Sequence, residues 1–377
     1  MNRTTRNQES TRTEATLYMA VELGASEWKL AFGVEAGQKP RLRQVAAGDL
    51  NGLMLEIARA KQRFELPESA RVVSCYEAGR DGFWLHRFLL SEGITNVVTD
   101  SSSIEVSRRS RRAKTDGLDA EKLLSSLIRF DRGERKVFGV AHAPTPVQED
   151  ERHWARELES LKQERTAHTN RIKSLLVSVG SSAKVDKGLL QRLDQVKQWN
   201  GEPLLPSLRE RLRRECERLA LLESQIKEVE RSRRQAEVEA TEKVRRLQEL
   251  KGIGENSAWL FVVEFFGWRQ FRTRREVASL AGLTPMPYQS GDTVNVEQGI
   301  SKAGNRRIRT MAIEIAWAWL RLQPQSRVSL WFQERYGPGN RRSRRVGIVA
   351  VARKLLIALW RYLDQGVIPE GAELKAK

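Results

Sequence analysis

The sequence predicts an α/β domain, followed by a long helical hairpin and a mainly α-helical C-terminal domain. Short apolar runs alternate with helical segments up to about residue 100, and densely charged segments with helical spacing follow. A chain of 377 residues with 40% hydrophobic residues is long enough to bury a core in each domain. We place the domains at 17–148, 149–246 and 247–377, after a polar arm at 1–16 that we expect to be disordered.

The first domain begins with three short apolar segments that are joined by Gly- or Pro-containing turns. The pattern predicts strands over 17–23, 28–34, 42–47, 71–76 and 94–99 and helices over 51–63 and 82–92. Three hairpin strands followed by alternating helix and strand predict a mixed five-stranded sheet. Ribonuclease-H-like nucleases share this order of elements.

The middle region predicts two long helical arms. Apolar residues of the second arm follow the alternating three-four step that is typical of a coiled-coil seam: Leu208, Leu212, Cys216, Leu219, Leu222, Ile226 and Val229. Glycines and prolines between 180 and 206 predict that the arms fold back antiparallel. We interpret this hairpin as a spacer or dimerisation arm without a catalytic cluster.

Charge favours a nucleic-acid partner. The 66 Lys and Arg residues exceed the 48 Asp and Glu residues, which gives a formal charge of +18 and attracts polyanions. No apolar stretch approaches the roughly 18 residues that a membrane span needs, and the polar start lacks the apolar core of a signal peptide. We therefore expect a bacterial cytoplasmic protein that is associated with the nucleoid when it acts. Cys75 and Cys216 lack nearby metal-ligand partners and are expected to be ordinary buried thiols.

Four acids form the candidate catalytic centre: Glu22 ends the first strand, Glu77 ends the fourth, Asp116 lies just before a helix and Asp119 lies at its start. In a ribonuclease-H-like sheet the first and fourth strands are neighbours, so these carboxylates can converge. Carboxylates this close need a divalent cation, and Mg²⁺ prefers oxygen ligands and keeps waters for a phosphate. The alternative is that each acid is a surface or helix-capping residue.

Basic residues directly precede the two aspartates, at Arg108, Arg109, Arg111, Arg112 and Lys114. Beside a metal they would contact phosphates and fix the position of a nucleic acid without reading its sequence. The alternative is an ordinary solvated loop.

Two glycine-containing segments in the C-terminal domain are further candidates. KGIGENSAW has the pattern of a helix-hairpin-helix unit, in which Lys251, Gly252 and Gly254 would contact a phosphate; a plain packing unit is the alternative. Ser290 lies in a loop nine residues before GISKAGNRRIR, whose candidate backbone-holding residues are Lys302, Asn305, Arg306, Arg307 and Arg309. All four histidines lie earlier in the chain, which argues against a Ser-His-Asp hydrolase. A loop serine is otherwise usually a turn residue.

Nearly the whole chain resembles the DEDD transposases of the insertion-sequence-110 type, including the insertion-sequence-1111 group. The resemblance rests on YEAG around Glu77, on RRAKTDGLDAEKL around Asp116 and Asp119, and on AGLTPMPYQSG followed by GISKAGNRRIR. It implies a RuvC-like Mg²⁺ site at Glu22, Glu77, Asp116 and Asp119. It also implies that Ser290 forms a covalent phosphoserine link to DNA.

The resemblance further implies a composite site, in which the carboxylates of one subunit meet the serine of another in a dimer or tetramer. A structured RNA from the element itself would guide the reaction. This sequence departs from the family pattern at one acid, because VELGASEWK has Glu22 where the family has Asp. Glutamate is one methylene longer, so we expect a shifted metal geometry or a lowered activity. The alternatives are a different ligand or a decayed copy of the element.

Two other functions stay open from the residues. A Holliday-junction or RNase-H-type nuclease would use the metal to activate water and leave Ser290 inert. A non-catalytic bridging protein would bind nucleic acid through the hairpin and the basic surface, and Asp119 would be dispensable.

Overall fold

A five-stranded sheet organises the N-terminal part of the chain. Our computed structural model describes residues 15–79, 82–100, 116–236, 240–288 and 296–375. The chain divides into two units, Met1–Ala143 and Pro144–Lys377. Most of the arm expected at 1–16 lies outside the described residues, and the first strand begins at Thr16.

The sheet has the order β3-β2-β1-β4-β5. Its strands are β1 (Thr16–Leu23), β2 (Glu27–Gly33), β3 (Arg41–Ala46), β4 (Arg71–Glu77) and β5 (Thr95–Thr99). The first three pair antiparallel, whereas β1, β4 and β5 pair in parallel. The mixed five-stranded sheet is thus confirmed, and its order is compatible with a ribonuclease-H-like fold.

Helices cover both faces of this sheet. Helices α1 (Leu50–Arg63) and α2 (Trp84–Ser91) pack on one face, where Leu17, Met19 and Val21 alternate into the core. Helix α3 (Asp116–Asp131) packs on the other face, which carries Tyr18, Ala20, Val73 and Cys75. Both cysteines are buried and free, as expected.

Two long helices begin the second unit, α4 (Pro146–Val177) and α5 (Pro206–Gln235). A capping box at Thr145 and Pro146 at the first position start α4. Near the bend, Ile172 and Leu176 pack with Leu212 and Cys216; further along, Leu158 and Leu161 pack with Leu222, Ile226 and Val229. Residue numbers rise along one helix as they fall along the other, so the helices are antiparallel. Whether they supercoil as a coiled coil stays a prediction.

The rest of the second unit is mainly helical. Its elements are a short 3₁₀ helix (Leu193–Gln195), α6 (Thr241–Glu249), α7 (Glu255–Phe261), a π-helical turn (Val262–Phe266), α8 (Arg274–Leu280), β6 (Pro285–Tyr288), β7 (Val296–Ile300), α9 (Arg306–Leu322), α10 (Arg327–Tyr336) and α11 (Arg341–Gln365). Strands β6 and β7 pair antiparallel. A large aromatic and aliphatic core joins α6, α7, α9 and α11 and includes Phe261, Phe265 and Trp319. Within the described ranges, no helix has the length and apolarity to cross a membrane.

Candidate active site and nucleic-acid interface

Glu22 and Glu77 lie at the carboxyl ends of two neighbouring parallel strands. Val21 pairs with Tyr76 in the register of β1 and β4. Because the strands are parallel, the residues that follow them, Glu22 and Glu77, are also neighbours. Ala20 and Cys75, one register position earlier, belong to the core beneath α3. Because side chains alternate along a strand, Glu22 and Glu77 lie on that same face. Glu22 is half-buried and Glu77 is exposed.

The direction of α3 follows from two hydrogen bonds. The Tyr18 hydroxyl at the start of β1 donates to Asp131 Oδ2 at the end of α3, over 2.9 Å. The Cys75 thiol in the middle of β4 lies 3.9 Å from the carbonyl oxygen of Leu123 in the middle of the helix. The helix is therefore antiparallel to both strands, and its first turn lies toward their carboxyl ends.

The contact between Cys75 and Leu123 also indicates how far along the strands Asp119 lies. From Leu123 back to Asp119 the helix rises about 6 Å, and from Cys75 on to Glu77 the strand advances about 7 Å in the same direction. The topology thus brings Glu22, Glu77 and Asp119 to one end of one face of the sheet.

Asp119 is half-buried, and its carboxylate lies 3.5 Å from Lys122 Nζ on the next turn. Asp116 begins α3, but its side chain lies outside what the structure describes. Among the described side chains, no three acids, histidines or cysteines lie close enough together to hold a metal ion. The donor set itself consists of hard carboxylate oxygens, which fit Mg²⁺ better than a soft metal.

Two predicted parts of the site fall outside the described residues. Ser290 belongs to the segment between β6 and β7, and the basic residues Arg108, Arg109, Arg111, Arg112 and Lys114 belong to the segment before α3. Their roles stay predictions.

The residues after β7 have contacts within the protein. Asn305 is the N-cap of α9, where its side chain accepts from the backbone N–H groups of Arg307 and Ile308. Arg307 forms an ion pair with Glu159 of α4, and Arg309 donates to the carbonyl oxygen of Lys302 over 2.9 Å. These contacts fix the start of α9. Lys302 and Arg306 are exposed, so they are the members of this group placed to reach a phosphate first.

The glycine motif before α7 is also engaged. The Lys251 N–H donates to the carbonyl oxygen of Glu373, and the Gly254 N–H donates to Ser257 Oγ. Gly252 has a φ of 97°, which favours glycine, and it turns the chain between α6 and α7. The motif therefore packs against the C-terminal segment, and phosphate contact by its N–H groups stays a prediction.

Comparison with known proteins decides the family. A Sinorhizobium fredii protein named as a transposase, y4rJ, is 42% identical over 378 residues, which cover 95% of this chain and 94% of that protein. Residues 244–329 match the model of the Transposase IS116/IS110/IS902 family. The chain belongs to this transposase family.

Other relatives are more distant. The transposase for insertion sequence element IS1328 of Yersinia enterocolitica is 27% identical over 260 residues, or 68% of this chain and 73% of the relative. The transposase for insertion sequence element IS1111A of Coxiella burnetii is 28% identical over 255 residues, or 67% of each chain. These relatives confirm the resemblance found in the sequence, and the chain is a DNA transposase.

Sequence reasoning missed a buried charge cluster in this transposase. Glu264 lies in the π-helical turn with a fully buried side chain, 2.8 Å from Arg156 and 3.4 Å from Arg152 of α4. Asn305 Nδ2 donates to the same carboxylate over 3.4 Å. Burial raises the pKa of Glu264, but the hydrogen bond from Arg156 and the charge of Arg152 outweigh it and lower the pKa. A single acid within the apolar run FVVEFF was the available signal.

Proposed function

We propose that this transposase cuts and rejoins DNA at the ends of an insertion sequence through a carboxylate site and a serine nucleophile. The observation that carries the proposal is the parallel pairing of β1 with β4, which makes Glu22 and Glu77 neighbours on the face that α3 covers. Family membership and the charge of +18 support the choice of DNA as substrate.

The carboxylates of Glu22, Glu77, Asp116 and Asp119 hold the metal in this proposal. Strand-end glutamates and first-turn helix aspartates provide oxygen ligands from three elements, so they can bind from several sides. When bound, Mg²⁺ neutralises charge on the scissile phosphate. Glu22 is half-buried at the end of its strand. Its side chain, one methylene longer than the aspartate of the family, reaches the position of the metal ion from there.

Ser290 performs the transfer. Its Oγ forms a bond to phosphorus while the bond from phosphorus to one DNA oxygen breaks, and that oxygen gains the proton that Oγ loses. The hydroxyl of another DNA end then attacks the phosphoserine, the Oγ–P bond breaks, and the serine regains its proton. The number of phosphodiester bonds is unchanged, so the exchange needs no ATP. Lys302 and Arg306 bind the flanking backbone as exposed cations.

The proposal includes a structured guide RNA and a dimer or tetramer in which the carboxylates of one subunit meet the serine of another. Both elements come from the family resemblance. The large positive charge provides binding capacity for RNA as well as DNA.

A denaturing-gel assay tests the proposal. Protein purified from cells with its RNA is mixed with Mg²⁺ and labelled element-junction DNA, and a covalent protein–DNA adduct is the expected product. We expect the adduct to be lost in Ser290→Ala and in Asp119→Ala. Glu121→Ala is the matched control, because Glu121 lies on the same helix two residues away, about 200° around its axis.

The outcomes separate the three functions. Loss of the adduct in both variants, with Glu121→Ala active, supports serine-mediated recombination. Cleavage without an adduct that persists in Ser290→Ala would instead show a nuclease that activates water. Activity that is unchanged in Asp119→Ala would exclude any role of the carboxylate site.

A further inference from the structure

A cationic cleft lies where α5 ends and α6 and α7 begin. It encloses about 480 Å³, and its charged and aromatic walls are Arg233, Arg234, Arg245, Glu255, Trp259 and Lys375. These residues are separated by up to 142 positions in sequence, so only the fold of the second unit brings them together. The cleft contains none of the residues assigned to catalysis above.

Among the residues that the structure describes, the lining is strongly unbalanced in charge, with four cations and one carboxylate. Arg234 has a side chain that is 61% exposed, and its Nε contacts Glu255 over 3.0 Å. Arg245 is exposed and has no ion-pair partner within the described part of the chain. Lys375 Nζ donates to the carbonyl oxygen of Ile253, a neutral acceptor, and forms no ion pair with a described acid.

Arg233 builds the floor of the cleft. Its side chain is 3% exposed, with Nη1 on Asn256 Oδ1 over 2.5 Å and Nη2 on Glu255 Oε1 over 2.9 Å. Its guanidinium also lies 5.7 Å from the centre of the Trp259 ring. These contacts join the end of α5 to the start of α7 and so hold Arg234 in place beside the other cations.

Two donors of this floor are unsatisfied. Arg233 Nε and Trp259 Nε1 are both buried and have no hydrogen-bond acceptor among the described residues. A second cavity of about 530 Å³, on α4, α7 and α9, shares Arg233 and Trp259 as lining residues. An excess of cations and donors with few acceptors makes this region complementary to an anion.

We propose that the cationic cleft binds the sugar–phosphate backbone of a nucleic-acid strand. Arginine forks suit phosphate oxygens, and several cations in one open cleft fit a chain of phosphates better than a single small anion. The inference rests on the proposed function only for the identity of the substrate as nucleic acid. RNA and DNA share the backbone chemistry, so the test has an arm for each.

The experiment measures binding of labelled unpaired RNA and DNA oligonucleotides of equal length by fluorescence anisotropy over a salt series in EDTA. The test variant Arg245→Ala/Lys375→Ala removes two cleft cations, and Arg245→Ala alone leaves the Lys375 contact intact. The matched control Arg211→Ala/Arg214→Ala removes two exposed arginines of α5 that do not line the cleft. All variants change the net charge only through exposed side chains.

We expect weaker binding and a slope of log affinity against log salt that falls by about 1.4 in the double variant, at about 0.7 for each lost phosphate contact. The single variant should lose about half as much, and the control should keep the wild-type slope. A loss with either strand supports the proposal, and the strand with the larger loss is the one that the cleft holds.

Equal slopes for the cleft variant and the control would overturn the proposal, because only overall charge would then matter. Displacement of the strand by polyglutamate at equal charge concentration would also overturn it, since the cleft would then bind any anion. Binding in EDTA requires no cutting, so this outcome is independent of the adduct assay. Ser290→Ala, which fails there, should bind normally here.

Discussion

Glu264 provides the sharpest test of how the second unit is held together. We predict that Glu264→Gln destabilises this unit, because the variant keeps the shape of the side chain but removes the charge that Arg152 and Arg156 face. The carboxylate is fully buried, and the side chain of Arg152 is 12% exposed. In the variant, Arg152 therefore loses its charged partner and can regain little hydration in exchange.

The expected loss in the free energy of unfolding is about 3 kcal/mol, the lower end of the range for removing one partner of a buried ion pair. We choose the lower end because the Arg156 side chain is 40% exposed and can regain hydration. For a unit of this size, each kcal/mol shifts the Tm by roughly 2–4 °C, so a shift of about 6–12 °C follows.

Thermal unfolding followed by tryptophan fluorescence measures this loss, since Trp154, Trp259 and Trp268 surround the cluster or pack near it. The pKa of Glu264 is lowered in the folded protein. Its stabilisation is therefore fully present above the unfolded pKa and is lost as pH falls through the folded pKa. The gap between wild type and Glu264→Gln should persist from pH 5 to 7 and narrow only as pH falls below 4.5, the ordinary pKa of a glutamate.

Glu157→Gln is the control, because Glu157 is an exposed acid on the same helix as the two arginines. It should change stability by less than about 0.5 kcal/mol. A Glu264→Gln protein with wild-type stability at pH 7, or a gap that widens toward low pH, would refute the assignment of this cluster as a stabilising ion pair.

Two further predictions concern other parts of the fold. Gly304 and Gly299 both have positive φ, but a Cβ on Gly304 would collide with a backbone carbonyl, whereas a Cβ on Gly299 would meet no atom of the described residues within 4 Å. Gly304→Ala should therefore cost about 3 kcal/mol and Gly299→Ala about 1 kcal/mol in urea unfolding, and equal costs would contradict the packing. Burial and the hydrogen bond to Asp131 raise the pKa of Tyr18 to about 12. The stabilisation from Tyr18 should be present below pH 10 and lost as pH rises toward 12. Tyr18→Phe should lower the free energy of unfolding by about 1 kcal/mol at pH 8 and reduce the loss of stability at alkaline pH. An unchanged alkaline stability profile in the variant would exclude a stabilising hydrogen bond from Tyr18 to Asp131.

The sheet was predictable because each strand has a hydrophobic pattern that is visible in its own short segment of sequence. Leu17, Met19 and Val21 alternate with Tyr18 and Ala20, and both sets are apolar because helices cover both faces. Glycines and prolines marked the turns between the first strands. The observed bounds of these strands and of α1 and α2 differ from those predicted by at most two residues.

Contacts between distant residues were the part that could not be predicted. Glu264 and Arg156 are 108 positions apart, and helical periodicity places each on its own element without revealing that they meet. Arg307 was interpreted only as a phosphate ligand, yet it pairs with Glu159 across 148 positions. The candidate carboxylates are visible in the sequence because strand ends and helix starts are local signals, and the sheet topology places Glu22, Glu77 and Asp119 at one end of one face.

The ion-pair cluster of Glu264 with Arg152 and Arg156 lies at the base of the hairpin. It limits which segments can be exchanged between related transposases. A hairpin grafted from a relative over Pro146–Gln235 would bring new residues opposite Glu264, which lies outside the exchanged segment. Unless the donor also carries two arginines at the right turns, an orphaned carboxylate remains in the core. Functional chimeras should therefore keep the hairpin, the π-helical turn and the start of α9 from one parent, with their crossover points outside all three.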